Sequence, residues 1–130
     1  MMREILFRGK RMDNGNWIQG SLFTRMNEAY IIPLPIITSK AKVDSETVGQ
    51  FTGLTDKNGK KLFEGDIAKY FDRFYRKTVY GAVEYRYGCY VVHTFGSPNC
   101  PAIDVVMNES DVEIIGNIHD NPELLERACE

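Results

Sequence analysis

The sequence predicts a mainly β protein, a small barrel or strongly bent antiparallel sheet with one short C-terminal helix. Three observations carry this. Short runs rich in Val, Ile, Tyr and Phe recur at close intervals, they are punctuated by Gly and by the pairs Asn14-Gly15 and Asn58-Gly59, and a helix-start pattern occurs only after Asp120. β-branched and aromatic residues suit a pleated surface, and Asn-Gly readily takes the positive φ of tight hairpin turns.

Ile5-Leu6-Phe7-Arg8 reads as the first strand, and Asp13-Asn14-Gly15-Asn16 as the turn that returns the chain through Trp17, Ile18, Leu22 and Phe23. Residues 29–32 form another β-rich run, closed by Pro33 and Pro35, which lack the N–H a central strand needs. The polar stretch 38–46 is expected as a surface loop. A second hairpin is expected at Asn58-Gly59, with residues 62–70 resuming the strand pattern. Phe7, Gly9, Asn14 and Gly15 share their spacing with Phe51, Gly53, Asn58 and Gly59, as two duplicated hairpins or convergent turn chemistry would. Residues 78–87 and 89–95, rich in Tyr and Val around Gly88, are expected as two long antiparallel strands at the centre of the sheet.

After a loop containing Gly96, Pro98 and Pro101 the chain reaches residues 103–107 and a last strand over 112–118. Helix is expected only at the end. There Asn121 caps, Pro122 suits the first helical position, Glu123 complements the dipole, and Leu124, Leu125 and Ala128 form an apolar face for the sheet. Gly65-Asp66-Ile67-Ala68-Lys69 and Gly81-Ala82-Val83-Glu84 are similar to strand beginnings of SH3-like barrels, an analogy of fold alone.

At 130 residues a single domain over 1–130 is expected, and 43% hydrophobic with 26% charged residues is an ordinary globular composition. A net charge of −2 offers no global attraction to a polyanion, so nucleic-acid binding would need a local patch. No stretch approaches membrane-spanning length and no long apolar leader follows Met1, so a cytoplasmic location without a membrane partner is expected. Cys89, Cys100 and Cys129, odd in number and irregularly spaced, read as free thiols.

The segment Phe51-Thr52-Gly53-Leu54-Thr55-Asp56-Lys57-Asn58-Gly59-Lys60-Lys61-Leu62-Phe63-Glu64-Gly65-Asp66-Ile67 resembles the central signature of the YopX family of phage and prophage proteins. Residues 5–8 and 114–125 resemble its opening strand and its closing strand and helix start. The departures are Ala68, where the family usually has a larger aliphatic residue, and residues 70–108, which match in strand rhythm but not in motif. The resemblance implies a β-rich protein of a bacterial cytoplasm and supplies no catalytic residues and no cofactor. Phe51, Gly53, Leu54, Asp56, Asn58, Gly59, Glu64, Gly65 and Asp66 are read as a structural signature.

Several residues invite a chemical reading. Asp56, Asn58 and Gly59 resemble part of a calcium loop, yet with Gly59 sixth the first and last places fall on Leu54 and Gly65, where carboxylates belong. A hairpin turn with Asp56 bonding nearby amides fits better. Cys89, His93 and Cys100 suggest zinc, but Cys89 and His93 on one strand stand about 13 Å apart, so no metal is assigned. His93, Asp104 and Ser97 make a triad only on paper. Glu64 and Asp66, flanking Gly65, would share a strand face as an acid–base or magnesium pair, without an identifiable basic clamp.

The richest feature lies between Lys69 and Tyr90, where Lys69, Arg73, Arg76, Lys77 and Arg86 interleave with Tyr70, Phe71, Phe74, Tyr75, Tyr80, Tyr85, Tyr87 and Tyr90. Rings stack on unpaired bases while cations neutralise phosphates, so Lys69, Arg73, Arg76, Lys77, Tyr80 and Arg86 form a candidate nucleic-acid site. Alternatively the rings fill the core and the cations form a solvated face. Residues 104–130 are acidic, a polarity that suits a basic partner or head-to-tail association. The leading expectation is a non-enzymatic binding module for a protein partner or for copies of itself. Nucleic-acid binding is the alternative, and an enzyme using Glu64 and Asp66 is a third class.

Overall fold

A computed structural model describes residues 3–33, 39–95 and 100–124, and the chain divides into two compact units, Met1–Gly53 and Leu54–Glu130. It is mainly β, with antiparallel sheets and a short helix.

In the first unit, β1 (Phe7–Lys10), β2 (Trp17–Arg25), β3 (Glu28–Ile32), β4 (Ala41–Val43) and the start of β5 (Gly49–Thr55) lie in the order β4-β3-β2-β1-β5. The turn after β1 forms as its residues dictate: Gly15 takes φ 73° and the Asn14 side-chain oxygen accepts the Asn16 N–H at 2.9 Å. Alternation along β3 buries Ala29 and Ile31, which pack with Val43 against Phe7, Ile18, Leu22 and Val48.

Residues 38–46, expected as a loop, contain β4. Val43 is only 2% exposed and pairs with Ala29. The other side of β4 also bonds, with Asp44 N–H donating to Lys10 O at 2.8 Å and Met12 N–H to Lys42 O at 3.0 Å. Backbone pairing on both sides makes a strand of a segment with a single apolar anchor. A 3-10 turn (Ser45–Thr47) follows, capped by the Asp44 carboxylate on Glu46 N–H at 3.0 Å.

The end of β5 neighbours β6 (Lys61–Phe63). Then β7 (Asp66–Asp72), β8 (Lys77–Arg86), β9 (Cys89–Thr94) and β10 (Glu113–Asn117) form a sheet in the order β10-β7-β8-β9. Its centre is therefore β7 and β8, and β9 flanks them, contrary to the expectation that β8 and β9 would be central. The reason lies in β7, whose buried run from Asp66 to Ala68 has partners on both sides. The outer side of β9 bonds residues 101–102, with Val92 N–H donating to Pro101 O at 2.9 Å.

One face of this sheet carries Ala68, Tyr70, Val83 and Val92 into a core with Leu62, Val112, Ile103 and Val106. Gly81 lets β8 and β9 approach, since a Cβ there would stand 2.5 Å from Val92 Cγ1 and 2.8 Å from His93 O. Ile103 and Val106 come from α1 (Ile103–Glu109), so helix is not confined to the C-terminus. Ala102 at its N-cap makes no side-chain bond. Spacing of i, i+3 puts both apolar residues on the core, and packing overrides the β preference of Ile103, Val105 and Val106.

Of the expected terminal helix, Glu123 and Leu124 are helical, while Leu125 and Ala128 lie outside the described residues. Asn121 does not cap it with its side chain. Its Oδ1 accepts Asn117 N–H at 3.1 Å instead.

Candidate interaction surface

Period-2 alternation assigns the basic and aromatic residues of the second unit to places. Tyr70 points into the core and is 6% exposed. Burial, with a smaller effect from the Asp72 charge, pushes its hydroxyl up to about 12. Phe71, Phe74, Tyr75, Tyr80, Tyr85 and Tyr87 are all exposed. Most of the stretch is surface, with Tyr70 in the core and half-buried Tyr90 packed against it. Asp72 builds the β7–β8 turn, its Oδ1 accepting Phe74 N–H at 2.9 Å and Tyr75 N–H at 3.1 Å, and Arg76 takes φ 53°. Tyr87 and Gly88, at φ 55° and 79°, make the β8–β9 turn at the other end of β8.

The predicted nucleic-acid residues do not form one patch. Lys77 and Arg86 begin and end β8 and so lie about 30 Å apart along it. Register places Lys69 opposite Tyr80, while Arg73 and Arg76 sit in the β7–β8 turn. Lys69 Nζ is 3.8 Å from Glu113, and Arg86 Nε is 2.7 Å from Glu84 Oε2, in a charge contact that lacks hydrogen-bond alignment. Lys77 Nζ stands 5.9 Å from the Tyr75 ring centre. Among the described residues Arg73 and Arg76 have no acidic partner. What remains is a net basic tip, where Arg73, Arg76 and Lys77 outnumber Asp72, beside the Phe74–Tyr75 pair, packed edge to face at 4.9 Å.

Below this tip a shallow cavity of about 80 Å³ is lined by Tyr70, Phe71, Arg73, Val105, Val106 and Glu109, among others. Ser110 Oγ donates to Phe71 O at 2.6 Å and so joins the end of α1 to the end of β7. Sequence reasoning missed this hollow because it missed α1. A signal was present in the i, i+3 spacing of Ile103 and Val106.

The remaining candidates take structural places. Asp56 is buried; its Oδ1 accepts Asn58 N–H and Lys60 N–H, both at 2.9 Å, and its Oδ2 accepts Ile114 N–H at 3.0 Å. Burial pushes this carboxyl up, but the bonds from Ile114, Lys60 and Asn58 outweigh it and leave it below its ordinary value. Gly53 and Gly59 hold φ 89° and 81°, Phe51 is buried, and Leu54 packs on the second core. Glu64 is not on a strand with Asp66: it occupies a turn with Gly65 at φ 90°. Buried Asp66 turns its carboxylate to Phe63 N–H at 2.8 Å. The candidate pair therefore does not share a strand face.

Cys89 is exposed, Cys100 is half-buried, and among the described residues no three His, Cys, Asp or Glu side chains converge as metal ligands would. His93 Nδ1 lies 3.4 Å from Glu84 Oε1, and Ser97 is outside the described residues. Among the described residues no helix is long and apolar enough to cross a membrane.

No curated protein matches the chain. The crystal structure of protein EF1440 from Enterococcus faecalis is similar to it, with 26% identity and a TM-score of 0.58 over 95% of this chain and 99% of that one. A family model described as YopX protein matches residues 6–126. That span includes every strand described above and the Asp56 turn, and the chain therefore belongs to the YopX family.

Proposed function

We propose that this chain is a non-enzymatic module that binds a protein through the tip of its β7–β8 hairpin. The observation that carries the reading is Phe74, 85% exposed beside Tyr75 and flanked by Arg73 and Arg76. Aromatic and arginine side chains are the residues in which protein interfaces concentrate their binding energy. Glu64 and Asp66, the pair an enzymatic reading would use, do not share a strand face. The family resemblance further supports a prophage-encoded accessory working in a bacterial cytoplasm. The backbone bonds that carry β4 back to residues 10–12 support a strongly bent, barrel-like first unit. Comparing proteins retained by the immobilised chain and by its Phe74→Ser variant tests the proposal. A partner held by the first and released by the second supports it, and equal retention overturns it.

The net positive charge and exposed rings at the tip also favour a second reading, binding of single-stranded nucleic acid. Its weakness is that Lys69 and Arg86 are charge-compensated, whereas a backbone-tracking groove needs consecutive free cations. Fluorescence anisotropy with labelled single-stranded and duplex DNA and RNA at low and moderate salt decides. Saturable, salt-sensitive binding abolished by Arg76→Ala and Lys77→Ala would place this reading first, and no binding at low salt would remove it.

A further inference from the structure

We propose that the partner of the hairpin tip is a second copy of this chain, docked about a two-fold axis so that each tip sits against the α1 side of the other. This rests on the tip reading above and names its occupant. Charge complementarity is the first argument. Asp72, the carboxylate nearest the tip, keeps its charge while accepting Phe74 N–H and Tyr75 N–H, but Arg73, Arg76 and Lys77 outnumber it and leave the tip net positive. No Lys or Arg occurs between Arg86 and Arg127. Glu113 in that span is balanced by Lys57 and Lys69, but Asp104, Glu109 and Asp111 on and after α1 are exposed and have no cationic partner among the described residues.

Shape is the second argument. The basic tip and the acidic helix flank the same cavity, whose walls include Arg73 on one side and Glu109 on the other. Phe71 and Val105, 49% and 50% exposed, give it apolar sides. Phe74 projects from the tip, so one surface carries both a protruding ring and a hollow. Two adjacent patches of opposite sign are self-complementary under a two-fold rotation, which sets each tip on the other copy's helix and closes at two subunits. Screening by salt should weaken such a contact, and loss of the ring should weaken it at every salt concentration.

Sedimentation velocity over a range of concentrations tests this with the full chain and two charge-reversed variants. In Arg73→Glu/Arg76→Glu both patches become acidic, and in Asp104→Lys/Glu109→Lys both become basic. The expected result is a salt-sensitive dimer for the natural chain, monomers for each variant alone, and a heterodimer when the variants are mixed in equal amounts. Phe74→Ser should raise the dissociation constant at least about 10-fold, as expected for an interface anchor. Circular dichroism verifies that each variant is folded. A natural chain that stays monomeric but retains another protein in a Phe74-dependent manner overturns self-docking and leaves the tip reading intact. A dimer indifferent to Phe74→Ser and to both reversals overturns both.

Discussion

The carboxylate of Asp56 holds the backbone N–H of Ile114, 58 positions away in sequence, with Oδ2 3.0 Å from that nitrogen. Its other oxygen closes the Asn58-Gly59 turn through Asn58 N–H and Lys60 N–H. One side chain thus ties the β5–β6 turn to β10. Asp56→Asn keeps the size but puts an amide N–H where one acceptor stood, facing a backbone N–H. Leaving a buried donor unsatisfied costs about 1–3 kcal/mol. Urea unfolding should show a loss of that order with an unchanged m-value, and Asp56→Ala should lose more. A loss within error of zero for both would remove Asp56 from this role.

The same carboxylate sets an acid limit. Its pKa is lowered in the folded protein relative to the ordinary carboxylate value, so the folded state binds fewer protons than the unfolded one in the window between the two. Its stabilisation is fully present above the unfolded value and is lost as pH falls through the folded value. Stability of the natural chain should therefore fall across that window more steeply than that of Asp56→Asn. Parallel pH profiles for the two proteins would contradict the assignment.

Much of this was legible in the sequence, for local reasons. Asn14-Gly15 and Asn58-Gly59 specify their turns without help from the rest of the chain, since Gly15 and Gly59 take positive φ. What escaped depends on partners distant in sequence. Val43 is a lone apolar residue until Ala29 and the segment 10–12 bond to it. Ile103, Val105 and Val106 favour strand locally, and only packing of Ile103 and Val106 on the sheet makes them helical. The basic–aromatic stretch was visible as composition. Its division between the two ends of β8 was not, because alternation alone does not show where the core stops: Tyr85 shares a face with Val83, yet Tyr85 is exposed.

Tyr70 gives stability a dependence on alkaline pH. Its hydroxyl is raised from 10.0 to about 12 in the folded protein. The unfolded chain ionises first, so the contribution of Tyr70 is fully present below about 10 and is lost as pH rises through about 12. Tyr70→Phe should flatten the stability profile between those values without affecting it at neutral pH beyond a constant offset. A profile as steep as that of the natural chain would assign the alkaline transition to another group.

Gly81→Ala tests the packing beneath the surface. The added Cβ meets Val92 Cγ1 at 2.5 Å and a backbone oxygen, His93 O, at 2.8 Å, so β8 and β9 would have to separate. Overpacking of this kind costs about 1–3 kcal/mol. Thermal unfolding should show a clearly lower Tm, and hydrogen exchange should show the loss of protection concentrated in β9, the flanking strand. An unchanged Tm would mean that the two strands are looser than their register implies.

Phe74 decides whether the aromatic stretch is interface or core. A core phenylalanine replaced by a small residue costs about 3–5 kcal/mol, whereas a surface substitution away from special features stays within about 0.5 kcal/mol. Phe74 is 85% exposed, so Phe74→Ser should unfold at nearly the natural Tm while losing partner binding. Leu62→Ala, at a fully buried site in the core of the second unit, should show the opposite pattern at temperatures where it remains folded, with stability lost and binding retained. The tip turn is fixed by the Asp72 carboxylate and backbone, independently of the Phe74 ring. Serine can therefore occupy the position without altering the turn. A large drop in Tm for Phe74→Ser would mean that the ring packs within the chain beyond its edge-to-face contact with Tyr75, and the tip would then lose its standing as the binding surface.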